Sequence, residues 1–172
     1  ITERANGSRK HLQLELEKID LLGSTKKKIS FNDIVKLTNS GLEYKISELV
    51  DYCLAQNKSK VIKSVNENIF NTEDNIIIIR TFLYKAKRLL KLKEGSAKTQ
   101  NLDALISSHK PPIFWKEKEI VKMQMKVWSY EKILKLINQI NKIELILKKS
   151  PQNSSYVLND FILQNASSEI NN

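Results

Sequence analysis

The sequence predicts an all-α protein, and three observations lead to this fold class. Apolar residues recur every three or four positions through most of the chain, which is the period of a helix with one buried face. No segment sustains the strict alternation of apolar and polar residues that a half-buried strand requires. The 172 residues contain only four glycines and three prolines, so few positions interrupt a helix.

Two short helices are predicted in the first part of the chain. The first covers residues 8–22, with Ser8 as its N-cap and Gly23 at its end. Ser30 caps the second, and Asp33 follows at the third position, where a carboxylate meets the free amides of the first turn. Because two short helices bury little apolar surface, we expect this part to pack on another segment.

A second domain, residues 42–172, is predicted to begin after the turn-forming tripeptide Asn39-Ser40-Gly41. Its first two helices are amphipathic, and a third begins near Asn75. The four isoleucines at 76–79 would also fit a buried strand, but helical spacing continues to Leu90 and favours a helix. The pattern places basic residues on the face of this helix opposite the apolar one: Lys85, Lys87, Arg88 and Lys91.

A diproline corner follows a polar loop and a short helix around Leu105. The sequence there is Pro111-Pro112-Ile113-Phe114-Trp115-Lys116, and each proline disfavours a helix behind it and removes a backbone donor. A helical segment then runs to Trp128. Ser129 is placed as the N-cap of the longest helix, which extends to Lys149 and is about 30 Å long. One more amphipathic helix follows it.

The net charge of +10 lies in one region of the chain. Residues 85–149 contain sixteen Lys or Arg against six Asp or Glu, whereas the remainder contains thirteen of each. Such a region attracts anions, phosphate above all, over about 8–10 Å at physiological salt. A lysine-rich surface that only keeps the protein in solution is the equally plain interpretation.

Few residues suggest catalytic or metal chemistry. His11 and His109 fall in different predicted domains, and neither has a Cys, Asp or Glu at metal-ligand spacing, so no catalytic site, cofactor or metal is expected. Cys53, the only cysteine, lies on an apolar stripe and is predicted to be a core residue in a reducing, cytoplasmic compartment. No apolar run is longer than the isoleucines at 76–79, which excludes a membrane-spanning segment.

Five stretches, taken in order, resemble one family. They are Gly7-Ser8-Arg9 with Leu16-Glu17-Lys18-Ile19; Ile29-Ser30-Phe31-Asn32-Asp33-Ile34-Val35; Leu49-Val50-Asp51-Tyr52-Cys53-Leu54-Ala55-Gln56-Asn57; the diproline hexapeptide with Gln124 and Trp128; and Glu144-Leu145 with Lys148. Their order and spacing, over nearly the whole chain, are similar to those of the delta subunit of the bacterial DNA polymerase III clamp loader. The third stretch departs from the family pattern, because Gln56-Asn57 replaces Gly-Asp.

The resemblance implies a separate role for each of the two predicted domains. Residues 1–40 would be most of a small AAA+ lid, and residues 42–172 a helical collar domain through which clamp-loader subunits form a ring. The chain would be a non-catalytic part of a DNA-directed DNA polymerase, a nucleotidyltransferase, and would help load the sliding clamp on primed DNA during replication. Its partners would be the gamma/tau and delta prime subunits and primer–template DNA. Contact with the sliding clamp would belong to a missing N-terminal module, which fits a chain that does not begin with Met.

Two sets of side chains are the candidate functional residues. Trp115 is a candidate for stacking on a base, with Lys116 and Lys118 holding phosphates, although a tryptophan beside Pro-Pro-Ile-Phe is more often a core residue. Lysines four residues apart from Lys118 to Lys126 also fit a solvated face. A ring of unlike subunits needs two different side faces. Candidates for these faces are the apolar residues left after the core stripe is filled: Tyr84, Tyr130, Leu145 and Tyr156.

Two other classes of function remain open. A stand-alone basic helical DNA-binding module would bind duplex DNA tightly and in a salt-dependent manner. A helical scaffold with no nucleic-acid role would bind none. A clamp-loader segment is expected to bind DNA feebly alone and well only inside the complex.

Overall fold

The computed structural model describes residues 9–25, 28–30, 33–34, 40–68, 70–97, 99 and 101–167. Of these described residues 83% are helical and none lies in a strand, which confirms the all-α class. The helices are α1 Arg9–Thr25, α2 Ser40–Leu54, α3 Lys58–Glu67, α4 Asp74–Ser96, α5 Leu102–Ser108, α6 Lys118–Val127, α7 Tyr130–Lys149 and α8 Ser154–Asn165. Short 3₁₀ turns at Trp115–Glu117 and Pro151–Asn153 lead into α6 and α8.

Helix α1 ends at Thr25, three residues after Leu22, the last residue of the predicted helix. Gly23 lies inside the helix, so its assignment as the terminator is wrong. The hydroxyls of Ser24 and Thr25 donate to the carbonyl oxygens of Leu21 and Leu22 at 2.7 and 2.9 Å, so both side chains bond back to the preceding turn of the helix. Its predicted cap, Ser8, lies outside the described residues.

The predicted cap at Ser30 is present. Ser30 Oγ accepts a hydrogen bond from the Asp33 amide at 3.2 Å, and Asp33 Oδ2 accepts one from the Ser30 amide at 3.0 Å. This reciprocal pair is the capping arrangement that starts a helix. Residues 35–39 lie outside the described part, so the rest of that helix remains a prediction. Ser40 and Gly41, predicted to belong to a turn, are instead the first two residues of α2, and the domain boundary itself stays a prediction.

Helices α2 to α8 share one core, which draws on residues from Ile46 to Ala166. Helix α4 is its central element: it packs along α7 and also contacts α2, α5, α6 and α8. Phe82 of α4 meets Phe161 of α8 edge to face, with ring centres 5.2 Å apart. Within the described residues no helix combines the length and the apolar character needed to cross a bilayer.

The turn after α2 has a left-handed residue. Gln56 has φ of 52°, and the Gln56 and Asn57 amides donate to the carbonyl oxygens of Cys53 and Tyr52 at 2.9 Å each. This is the Schellman ending of a helix, in which the left-handed position favours glycine because a side chain there is strained. Gln56 is the residue that stands where the resembled family pattern has glycine.

Candidate nucleic-acid interface

The diproline corner places three consecutive bulky residues in three environments. Ile113 is buried in the common core, Phe114 is partly buried, and Trp115 is 68% exposed. Trp115 begins the 3₁₀ turn, in which the Glu117 amide donates to the Phe114 carbonyl oxygen at 2.9 Å. The interpretation of Trp115 as a core residue is therefore wrong, because Ile113 takes the inward position instead.

Phe114, Trp115 and Lys116 together form what we call the corner surface. The two rings are 5.7 Å apart and tilted by 49°. Lys116 Nζ lies 5.4 Å from the centre of the Trp115 ring and 5.9 Å from that of Phe114. A cation at such a distance is attracted by the electron-rich ring face. An exposed indole beside a cation is the combination with which proteins bind single-stranded nucleic acid.

Lys118 and Lys122, which follow on α6, each have a partner. Lys118 Nζ donates to Ser107 Oγ at 2.9 Å, a neutral partner that orients the side chain towards α5. Lys122 Nζ lies 2.7 Å from Asp103 Oδ1 and 2.8 Å from Glu119 Oε1. The hydrogen bond to Asp103 and then that to Glu119 raise the pKa of Lys122. The lysine stripe on α6 is thus partly neutralised by carboxylates.

A buried ion network joins this corner to the core. Its first pair is Asp51 of α2 and Lys85 of α4, and Lys85 is only 3% exposed. Lys85 Nζ donates to Asp51 Oδ2 and also to Ser47 Oγ at 2.7 Å. Gln124 Nε2 donates to Asp51 Oδ1 at 3.1 Å. Burial lowers the pKa of Lys85, and the Asp51 carboxylate acts in the opposite direction.

The second pair of the network connects Arg88 with the corner itself. Arg88 Nη1 donates to Glu117 Oε2 at 2.6 Å, and Arg88 Nη2 lies 3.8 Å from Asp51 Oδ1. Arg88 is 7% exposed, whereas Glu117 retains partial contact with solvent. Asp51, Lys85, Arg88 and Glu117 therefore carry two positive and two negative charges in one connected cluster, which we call the buried ion network.

The network corrects the prediction that Lys85 and Arg88 lie on the outer face of α4. Both are buried, because their anionic partners come from other helices and periodicity within one helix cannot show them. One signal was present in the sequence. Lys85 continues the stripe of Ile78, Phe82 and Leu89 at spacings of four, three and four, so a charge occupies a core position. A buried charge at such a position requires a partner.

Trp128 has the opposite role to Trp115. It is 3% exposed, follows the end of α6, and its indole Nε1 donates to the Leu54 carbonyl oxygen at 2.6 Å. Ser129 then caps α7 as predicted, since its Oγ accepts from the Lys132 amide at 3.2 Å. The chain between the corner and α7 is thereby fixed to α2.

The four interface candidates are all exposed in the structure. They belong to three helices, namely α4, α7 and α8: Tyr84, Tyr130, Leu145 and Tyr156. Their exposure leaves them accessible to other molecules, and their role in subunit contacts stays a prediction.

Cys53 and His109, the other residues considered for catalytic or metal chemistry, each lie close to a backbone carbonyl oxygen. Cys53 is fully buried, its Sγ lies 3.4 Å from the Ile162 carbonyl oxygen, and burial raises the pKa of the thiol, as expected for a core residue. His109 Nδ1 lies 2.9 Å from the Pro111 carbonyl oxygen. The residues that the structure describes contain no group of His, Cys, Asp and Glu side chains that could hold a metal ion.

The chain matches no family model, no curated protein and no solved structure. Its functional interpretation therefore depends on the five stretches of sequence, the helical fold and the geometry of the corner.

Proposed function

We propose that this chain is a delta-type, non-catalytic subunit segment of the DNA polymerase III clamp loader. In this proposal, residues 42–172 are a collar that assembles with the gamma/tau and delta prime subunits. The assembled loader places the sliding clamp on primed DNA during replication, and the corner surface contacts the single-stranded template. Contact with the clamp itself is assigned to the module that precedes the lid in the family.

The observation that carries the nucleic-acid part of the proposal is the exposure of Trp115. An indole that is 68% exposed, on a turn whose neighbour Ile113 is buried, contributes little to the core. Leaving an apolar indole in water is unfavourable, and this exposure is explained if the ring binds another molecule, because aromatic residues are enriched at binding surfaces. Lys116 and Lys118 beside it supply charge for a phosphate backbone.

A second observation supports the family assignment. Gln56 adopts the left-handed geometry for which glycine is the favoured residue, and the family pattern has glycine at this position. The departure in sequence is therefore compatible with an unchanged backbone. The single helical core from Ile46 to Ala166 also fits a collar, which needs rigid helices with exposed side faces.

The interaction energies indicate that a nucleic-acid base is a better partner for the Trp115 ring than Lys116 is. A cation over an exposed ring contributes about 0.5–1 kcal/mol. A base stacked on an aromatic side chain contributes about 1–3 kcal/mol. A template base would displace Lys116 from the ring, and the ammonium group could then move to the adjacent phosphate. The lysine therefore occupies the indole face in the free protein and supports the backbone in the complex.

Co-assembly tests the collar. The 172-residue chain is mixed with gamma/tau and delta prime subunits and analysed by size-exclusion chromatography with light scattering. We expect a complex that contains all components, and substitution of Leu145 or Tyr156 by Asp should weaken it. Elution of the chain as a separate species at micromolar concentrations would count against the collar function.

Single-strand binding tests the corner surface. In the assembled loader, Trp115→Ala should weaken binding of primer–template with a single-stranded overhang by about 5-fold or more, with an unchanged melting temperature. The matched control is Tyr44→Ala, which removes another exposed aromatic residue from α2. Equal overhang binding by the wild type and Trp115→Ala would refute the stacking role.

The alternatives give different results in the same assays. A stand-alone DNA-binding module, which the excess charge of residues 85–149 would favour, predicts that the isolated chain binds duplex DNA with a steep salt dependence. A helical scaffold predicts no binding to either form of DNA. Weak binding alone together with overhang binding in the complex is the result expected for the clamp loader.

A further inference from the structure

The turn that carries Trp115 is attached to the protein at both of its ends. On the N-terminal side Ile113 inserts into the core. On the C-terminal side Glu117 accepts the 2.6 Å hydrogen bond from Arg88. Trp115 and Lys116 lie between these two attachments, so their backbone is fixed while their side chains remain exposed.

The attachment at Glu117 is specific, because Arg88 has few alternatives. Arg88 Nε and Nη2 make no hydrogen bond to any residue that the structure describes, so Glu117 receives the one hydrogen bond from this guanidinium group. The other carboxylate nearby, Asp51, is already bonded to Lys85 and Gln124. If Glu117 moved away, a buried guanidinium would lose its close counter-ion, which is costly in a low-dielectric interior.

We infer that Arg88 is a positioning residue for the corner surface: through Glu117, it holds the turn that presents Trp115 and Lys116. Its consequence for DNA rests on the proposed function. The buried ion network thus does more than join α2 to α4, since its fourth member belongs to the turn itself. Single-strand binding should then depend on Arg88, although this residue is only 7% exposed.

The position of Trp115 can be measured without any DNA. The full 172-residue chain is labelled with 5-fluorotryptophan, which gives two ¹⁹F resonances, and Trp115→Phe assigns them. Trp128, buried against Leu54, is the internal reference. In Glu117→Ala, which removes the acceptor of the Arg88 hydrogen bond, we expect the Trp115 resonance to sharpen and to shift towards that of free 5-fluorotryptophan, while the Trp128 resonance is unchanged.

A double variant distinguishes a moved turn from an unfolded protein. Arg88→Met with Glu117→Gln removes one cation and one anion together, so the remaining Asp51–Lys85 pair stays balanced and no buried charge is left alone. The same change in the Trp115 resonance is expected. The matched control is Glu119→Gln, because this nearby carboxylate is 81% exposed and pairs only with Lys122 among the described residues. It should leave both resonances unchanged.

The two resonances decide the inference. A Trp115 resonance identical to that of the wild type in the double variant would overturn it. Equal shifts of both tryptophan resonances would also overturn it, since the pair would then support the whole fold and not the turn. In the assembled loader the double variant should lose about 5-fold in overhang binding, approaching the loss in Trp115→Ala. Failure of the wild-type loader to bind the overhang would contradict the proposed function, whereas the resonances would still test the positioning role.

Discussion

Replacement of Asp51 by Asn should destabilise the protein far more than a typical substitution. The change keeps the shape of the side chain but removes one negative charge from the buried ion network, in which Lys85 is 3% exposed and Arg88 is 7% exposed. Removal of one partner from a buried ion pair costs about 3–5 kcal/mol, because the other charge stays uncompensated. Domains have about 5–15 kcal/mol of stability in total, so this loss is a large fraction of it.

Urea unfolding followed by circular dichroism measures this loss. With a slope of about 1–3 kcal/mol per molar urea, the unfolding midpoint should fall by at least about 1 M. The deficit should also shrink as the pH rises towards 10. Burial already lowers the pKa of Lys85 and Asp51 opposes this effect, so without Asp51 the pKa falls further. The folded variant then binds fewer protons than the unfolded chain, and its stability rises with pH.

Two further variants separate the buried charge from other causes. Asp51→Leu combined with Lys85→Met removes both charges together and puts apolar side chains in their place, so it should recover most of the lost stability. Glu67→Gln breaks the exposed pair between Lys63 and Glu67, whose charged atoms are 3.8 Å apart, and should cost less than about 0.5 kcal/mol. A midpoint shift for Asp51→Asn as small as that of Glu67→Gln would refute the reasoning, as would a double variant no more stable than Asp51→Asn.

Three more predictions concern the surroundings of α2. Trp128→Ala should cost about 3–5 kcal/mol in urea unfolding, because it empties a core site and leaves the Leu54 carbonyl oxygen without its donor. Gln56→Gly should raise the free energy of unfolding by about 0.5–1 kcal/mol, measured by thermal unfolding, since glycine relieves the left-handed strain. Burial and the hydrogen bond to Glu48 raise the pKa of Tyr52 to about 12, so in an ultraviolet titration one tyrosine should ionise late, and Tyr52→Phe should abolish that step. Because the folded state holds this proton more tightly, its contribution to stability is present below pH 10 and is lost as the pH rises to about 12.

The elements that depend on local chemistry could be predicted from the sequence. The caps at Ser30 and Ser129 are visible because a hydroxyl three residues before a free amide satisfies it within one turn. The end of α1 is predicted too early, because Gly23 stays helical and the hydroxyls of Ser24 and Thr25 bond back to the carbonyl oxygens of Leu21 and Leu22. Side-chain bonds of this kind compete with the usual termination signals.

The position of the candidate site could be predicted from the sequence, but the direction and contacts of its side chains could not. Pro111 and Pro112 predict a corner, yet in a turn there is no helical period to say which of Ile113 and Trp115 faces inward. The hydrogen bond from Arg88 to Glu117 joins residues of two separate elements, so no pattern within either of them reveals it.

The contacts of α8 have a consequence for synthesis of the protein. The first core residue in the described part of the chain is Ile46, and the last are Phe161 and Ala166. Phe161 packs on Phe82 of α4. At about 5–20 residues per second, translation of the intervening stretch of about 120 residues takes roughly 6–24 s. During that interval the apolar faces of the earlier helices lack their final partner on the ribosome. In a protein truncated before Ser154 these apolar faces would stay exposed, and we expect this product to be a substrate for chaperones and proteases.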